Sequence, residues 1–187
     1  MKILLGQAEV NPDKADNGGK TPLWHAARYG HAGVVKMLLE REEVSLDKPN
    51  NDGKTPLWYP VRYGRQGVVK MLLDRKEVNP DKPDDDGRTP LSYAASGAYE
   101  GVVEMLLGRE EVTPDKPDND GRTPLWYAAR VGSEAVAKML LRRGGVDPNK
   151  PDNSGQTPRM AVPWWVSEGV AKLLESHEAE TPAQPEA

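Results

Sequence analysis

The tetrad Thr-Pro-Leu-Trp begins at Thr21, Thr55 and Thr123, Thr-Pro-Leu-Ser at Thr89, and Thr-Pro-Arg-Met at Thr157. One phrase thus recurs every 34 residues. At such a period each unit is a single supersecondary piece that cannot bury its own apolar face, so neighbours must stack to build a continuous core. With 37% hydrophobic residues and no phenylalanine, that core has to come from stacking rather than from a globular centre. The net charge of −4 is spread over alternating acidic and basic segments. No basic face tracks a phosphate backbone, which argues against a nucleic-acid partner. The absence of cysteine removes disulfides, thiolate metal sites and a cysteine nucleophile, and leaves the redox compartment open.

The repeated unit reads Asp-Gly-Lys/Arg-Thr-Pro-Leu-Trp-Tyr-Ala-Ala-Arg-Tyr-Gly, then Gly-Val-Val-Lys-Met-Leu-Leu, an acidic stretch, and Val-x-Pro-Asp-Lys-Pro-Asp-Asn. This wording resembles the ankyrin repeat over Gly18 to Leu174. The resemblance implies an all-α solenoid of helix-turn-helix repeats with projecting hairpin or loop fingers. Full repeats are expected at 18–51, 52–85, 86–119 and 120–153, with a degenerate C-terminal repeat at 154–178 and a disordered tail at 179–187. Shifting by one period places Ile3, Leu4 and Leu5 on Met37, Leu38 and Leu39, so 1–17 is expected to be a truncated half-repeat of a longer protein. Its apolar run is too short for a signal peptide.

Local chemistry supports two short helices per unit. Threonine can cap the orphan amides of the first helix, and proline at the first helical position forfeits a donor that had no partner. Gly30, Gly64 and Gly132 suit the left-handed residue that ends that helix. Three irregularities stand out. Pro60 and Pro163 fall inside first helices and should distort them, because each removes an interior hydrogen bond. Gly97 sits one place early in the third repeat, where the turn is expected to differ and the array to kink. The family's histidine after Thr-Pro-Leu is replaced by Trp24, Trp58, Ser92, Trp126 and Met160; its local polar network is expected to be lost, with the tryptophans packing between units.

Catalytic chemistry is not legible. His25 and His31 lie on different helical segments without a metal-ligand pattern, His177 is near the tail, and no nucleophile elbow, phosphate loop or His-Glu-x-x-His occurs. No enzyme, cofactor or metal is therefore expected. Asp84-Asp85-Asp86-Gly87 and Asp118-Asn119-Asp120-Gly121 resemble part of a calcium loop, but Lys82 or Lys116 stands where an earlier ligand should be, and no bidentate glutamate closes either loop.

The resemblance implies instead a protein-protein interaction module that binds a partner on a concave face lined by fingers and first helices. Its contact positions carry Arg28, Arg62, Ser96, Arg130 and Trp164, beside Tyr29, Tyr63, Gly97, Val131 and Trp165, with Lys20, Lys54, Arg88, Arg122 and Gln156 on the fingers. Cations beside rings suit a protein or peptide that is acidic or contains aromatic residues, since guanidinium binds carboxylate bidentately and stacks on rings. Asp52, Asp86 and Asp120 border this stripe. Trp164 and Trp165 are either a hot spot at one edge or the apolar seal of the last repeat, with the seal favoured. The alternatives are a structural spacer and a calcium-responsive array. No membrane partner is expected, and the chain should be a monomer or associate weakly head-to-tail through Ile3, Leu4 and Leu5. The repeated Trp-Tyr-Ala-Ala-Arg-Tyr-Gly wording also resembles the ligand-sensing arrays at the ends of fungal NACHT-type receptors, which implies a signalling NTPase before the array; an intracellular, cytoplasmic setting is expected.

Overall fold

The computed structural model describes residues 11–165 and 168–180, the side chains of 178–180 excepted. The half-repeat residues Ile3, Leu4 and Leu5 and the tail beyond Glu180 lie outside that range. Among the described residues all regular structure is helical. The chain divides into two compact units, Met1–Pro90 and Leu91–Ala187.

The first unit holds α1 (Pro22–Tyr29), α2 (Ala32–Leu39), α3 (Trp58–Arg62) and α4 (Gln66–Leu73). α1 pairs with α2 and α3 with α4, and each pair stacks on the other through α1 on α3 and α2 on α4. Such helices are too short to persist alone; packing of one stripe on each holds them. Leu23, Ala27, Val35, Leu38, Leu57, Val61, Val69 and Leu72 are wholly excluded from solvent. The second unit contains α5 (Pro90–Ser96), α6 (Glu100–Leu107), α7 (Pro124–Val131), α8 (Glu134–Arg143) and α9 (Glu168–Glu180). α7 packs on α8, α6 on α8, and α8 on α9, around Val102, Leu106, Leu125, Ala128, Val136 and Leu140.

The expected helix starts occur where no proline intervenes. Thr21 Oγ accepts from the Trp24 amide at 3.2 Å, and Thr123 Oγ from the Trp126 amide at 3.2 Å. Pro60 has the expected effect: it cannot donate to the Pro56 carbonyl, and α3 begins at Trp58, not at Pro56, and runs only five residues. At Pro163 the first helix gives way to turns over residues 158–165.

The third repeat departs from expectation. Gly97 is not the left-handed residue. Ala98 is, at φ 52°, in the register of Gly30, Gly64 and Gly132, whose φ values are 72°, 61° and 72°. The Ala98 amide donates to the Ala95 carbonyl and the Tyr99 amide to the Ala94 carbonyl, both at 3.1 Å. Gly132 and Ser133 repeat that pair toward Ala129 and Ala128. Hydrogen bonding thus keeps the turn in register, and the shifted glycine alters its strain rather than its form.

The fingers are loops closed by side chains. Asn50 Oδ1 accepts from the amides of Asp52 and Lys54 at 3.1 and 2.8 Å, and Asp118 Oδ1 from those of Asp120 and Arg122 at 3.0 and 2.9 Å. Asp16, Asp84 and Asp152 do the same. This is the side-chain mimic of a backbone turn that aspartate and asparagine favour. Adjacent repeats are tied by finger backbone, with Asn51 donating to Gly18 at 3.0 Å and Asn153 to Asp120 at 2.9 Å. Lysines clamp the preceding repeat: Lys82 Nζ donates to the Asp47 carbonyl at 3.1 Å, and Lys150 Nζ to the carbonyl and carboxylate of Asp115 at 3.1 and 2.9 Å. Burial pushes the Asp47 and Asp115 carboxyls above the usual aspartate range, against the opposing pull of the Asn79 amide on the first and of Lys150 on the second.

Candidate functional site

In the first unit the start of α1 and the finger before it bring two cations onto one indole. Trp24 is 1% exposed, and its Nε1–H donates to the Lys54 carbonyl of the next finger at 3.1 Å. It packs between repeats, as expected. Lys20 Nζ lies 5.1 Å and Arg28 Cζ 5.5 Å from the centre of its ring. Arg28 Cζ also lies 4.7 Å from the Tyr59 ring and 5.4 Å from that of Tyr29. Trp24 meets Tyr59 edge-on at 4.9 Å, and Tyr59 stacks on Tyr63 at 5.7 Å. One helical turn separates Trp24 from Arg28, which lays the guanidinium back over the indole. The arrangement holds Arg28 by rings, leaving its N–H edges for a ligand.

The second repeat of this unit extends the pattern. Lys54 Nζ stands 4.7 Å over the Trp58 ring, while Trp58 Nε1–H donates to Asp84 Oδ2 at 3.2 Å. Tyr29 and Tyr63 are each 56% exposed, Arg62 is exposed, and Arg88 is half-buried above the finger that Asp84 closes. In the second unit Arg122 Cζ and Arg130 Cζ lie 4.7 and 5.5 Å from the Trp126 ring. That indole is buried, and its Nε1–H lacks the acceptor that Trp24 finds. Arg122 Nη1 pairs with Asp120 at 2.9 Å, and its Nε lies 3.7 Å from Asp152.

The polar network expected to be lost is present, displaced by one residue. The finger aspartate reaches the ring that follows the tryptophan: Asp16 Oδ2 meets His25 Nε2 at 3.0 Å, and Tyr127 Oη–H donates to Asp118 Oδ2 at 2.5 Å. The amide of Lys20, with help from His25, holds the Asp16 carboxyl below the usual range. The recurring nine-residue interval from finger aspartate to His25 or Tyr127 was the available signal. Because the Oδ1 atoms of these aspartates accept backbone amides, they are committed to the turn, and among the described residues no cluster of three or more acidic or histidine side chains could hold a metal. The seal reading fails: Trp164 and Trp165 are 90% and 70% exposed and meet each other edge-on at 5.4 Å, because the turns at Pro163 carry them away from the core. Nor is any helix, among the described residues, long and apolar enough to cross a membrane.

The profile of a known family, ankyrin repeats (three copies), matches residues 1–84 and 76–152. No curated protein matches the chain.

Proposed function

The chain belongs to the ankyrin-repeat family, whose members are generally protein-protein interaction modules and typically not enzymes, and from that premise we propose that it is a recognition array. Its partner, a protein or peptide with acidic side chains, docks on the face formed by first helices and fingers, the concave face in such arrays. The observation that carries this reading is the state of the cations there. Lys20, Arg28, Lys54 and Arg130 rest against aromatic rings, and each makes no ion pair with a carboxylate among the described residues. On the second-helix side, by contrast, Arg41, Arg75 and Arg109 pair with Glu43, Glu77 and Glu111 at 3.3, 3.3 and 3.1 Å. A cation held by a ring keeps its charge available at small conformational cost, which favours association with an acidic surface.

Tyr29 and Tyr63 supply the exposed apolar area beside these charges, and aromatic residues next to arginine are the usual energetic centres of interfaces. Trp164 and Trp165 are a second contact area of the same kind. An intracellular, cytoplasmic setting is part of the proposal.

The test is capture of partners from the source lysate with the wild-type chain and with the triple variant Arg28→Glu, Arg62→Glu, Arg130→Glu, after circular dichroism has established equal helix content. Partners held by the wild type and lost by the variant are the expected result. Equal retention would assign binding elsewhere, and a spacer would capture nothing that depends on these residues.

A further inference from the structure

The tryptophan centres look alike but differ in charge, and the difference lies in two finger positions. Each finger cation is followed along the chain by its helix-start tryptophan or serine, and two carboxylate positions flank it: two residues before it, and thirty residues after it at the base of the next finger. For Arg122 these are Asp120 and Asp152, and both lie within ion-pair distance, at 2.9 and 3.7 Å. For Lys54 they are Asp52 and Asp84. For Lys20 they are Gly18 and Asn50. The first centre has thus lost both neutralising carboxylates while keeping the rest of the arrangement: the buried indole, Lys20 and Arg28 against it, and an intact finger. Asn50 closes its finger through Oδ1 as well as Asp152 does, accepting two amides at 3.1 and 2.8 Å against 2.8 and 2.9 Å. Turn formation therefore does not require the charge at this position. Asp16 stands at the base of the first centre and Asp118 at the base of the fourth, each bonded to the ring after the tryptophan, so that pair cancels in the comparison.

Resting on the reading that a partner binds this face, we propose that the carboxylates of an acidic partner segment dock first at the Trp24 centre, on Lys20 and Arg28, and that the Trp126 centre, where Arg122 is already neutralised by Asp120 and Asp152 and only Arg130 is left, takes them more weakly. An incoming carboxylate at Trp24 meets two cations with no competing counter-charge from the flanking positions. At Trp126 it must displace or oppose two carboxylates already in place, and like charges brought together disfavour the contact.

The probe is an acetylated, amidated hexaglutamate peptide titrated into the full chain at low ionic strength, with hexaglutamine as control, followed by NMR of the tryptophan indole and arginine Nε–H signals and of backbone amides. Saturable shifts are expected at Lys20, Trp24 and Arg28 with affinity about fivefold tighter than any shifts at Arg122, Trp126 and Arg130, a ratio in keeping with one or two exposed charge pairs. Lys20→Gln should abolish the preference. The double variant Asp120→Gly, Asp152→Asn, which copies the Gly18 and Asn50 arrangement into the second unit, should create a matching response at Trp126. Equal response at both centres, response at neither, an identical effect of hexaglutamine, or a double variant that gains nothing would each overturn the proposal. Partner capture with the triple arginine variant reads the underlying recognition function separately: a captured partner that depends on the arginines, together with hexaglutamate that shows no preference, would refute the charge assignment alone.

Discussion

Replacing Ala98 by glycine should stabilise the protein, although it removes a methyl group. Ala98 is held at φ 52° in the one register position where three other repeats place glycine. A left-handed backbone costs an L-residue about 1–2 kcal/mol through the approach of Cβ to the following carbonyl. The residue is exposed, so deleting Cβ creates no cavity. Against this relief stands the greater freedom of glycine in the unfolded chain, about 0.4–1 kcal/mol. The net gain should be about 0.5–1 kcal/mol, or a rise of about 1–4 °C in Tm for a chain of this size. The reciprocal change, Gly132→Ala at φ 72°, should cost a similar amount. Urea and thermal unfolding followed by circular dichroism would measure both. A neutral or destabilising Ala98→Gly, or a tolerated Gly132→Ala, would refute the reasoning, since it would mean that the interhelical turn does not need the left-handed conformation.

Three further outcomes follow from particular contacts. Trp24→Phe should cost about 1 kcal/mol more than Trp126→Phe in urea unfolding, because the first strands the Lys54 carbonyl that the indole N–H now satisfies, whereas the second deletes a buried donor with no acceptor. Thr123→Ala should cost about 1 kcal/mol by leaving the Trp126 amide without its cap. Asp47→Asn should shift the change in stability between pH 4 and pH 7 in favour of pH 7: burial raises the folded carboxyl above its unfolded value, so this group holds its proton longer in the folded chain and its contribution is lost as pH rises from about 4. Asparagine cannot ionise yet can still accept the Asn79 amide, now bonded at 2.6 Å. Between pH 4 and pH 7 the variant should lose less stability, or gain more, than the wild type; a variant that loses more stability than the wild type over that interval would contradict the sign.

The repeat architecture was legible because its signals are local and recur at a fixed interval. Thr21 and Thr123 cap helices, and Pro60 and Pro163 shorten or abolish them, for reasons confined to one turn of chain. The third-repeat turn was misread because residue type outweighed register: Gly97 offered the permissive side chain, but the carbonyls of Ala94 and Ala95 fix position 98 as the left-handed residue. The relocated polar network was missed for a related reason. The repeat wording marks the position that tryptophan occupies, while the finger aspartates bond to His25 and Tyr127 one residue later. The contact positions that the family resemblance implies name residues, not their state. That state depends on neighbours distant in sequence: Arg122 is paired with Asp120 and lies near Asp152, whereas Arg28 is held by three rings, one of them Tyr59 of the next repeat.

The most direct test of partner recognition by the first-helix and finger face is site-specific photocrosslinking. Benzoylphenylalanine would be placed at Tyr29 or Tyr63, both exposed on that face, and for comparison at Glu42 or Glu110, exposed beyond the second helices. The account predicts that one and the same protein is crosslinked from Tyr29 and Tyr63 and not from the glutamate positions. Crosslinking of partners from Glu42 or Glu110 alone, with none from either tyrosine position, would contradict it.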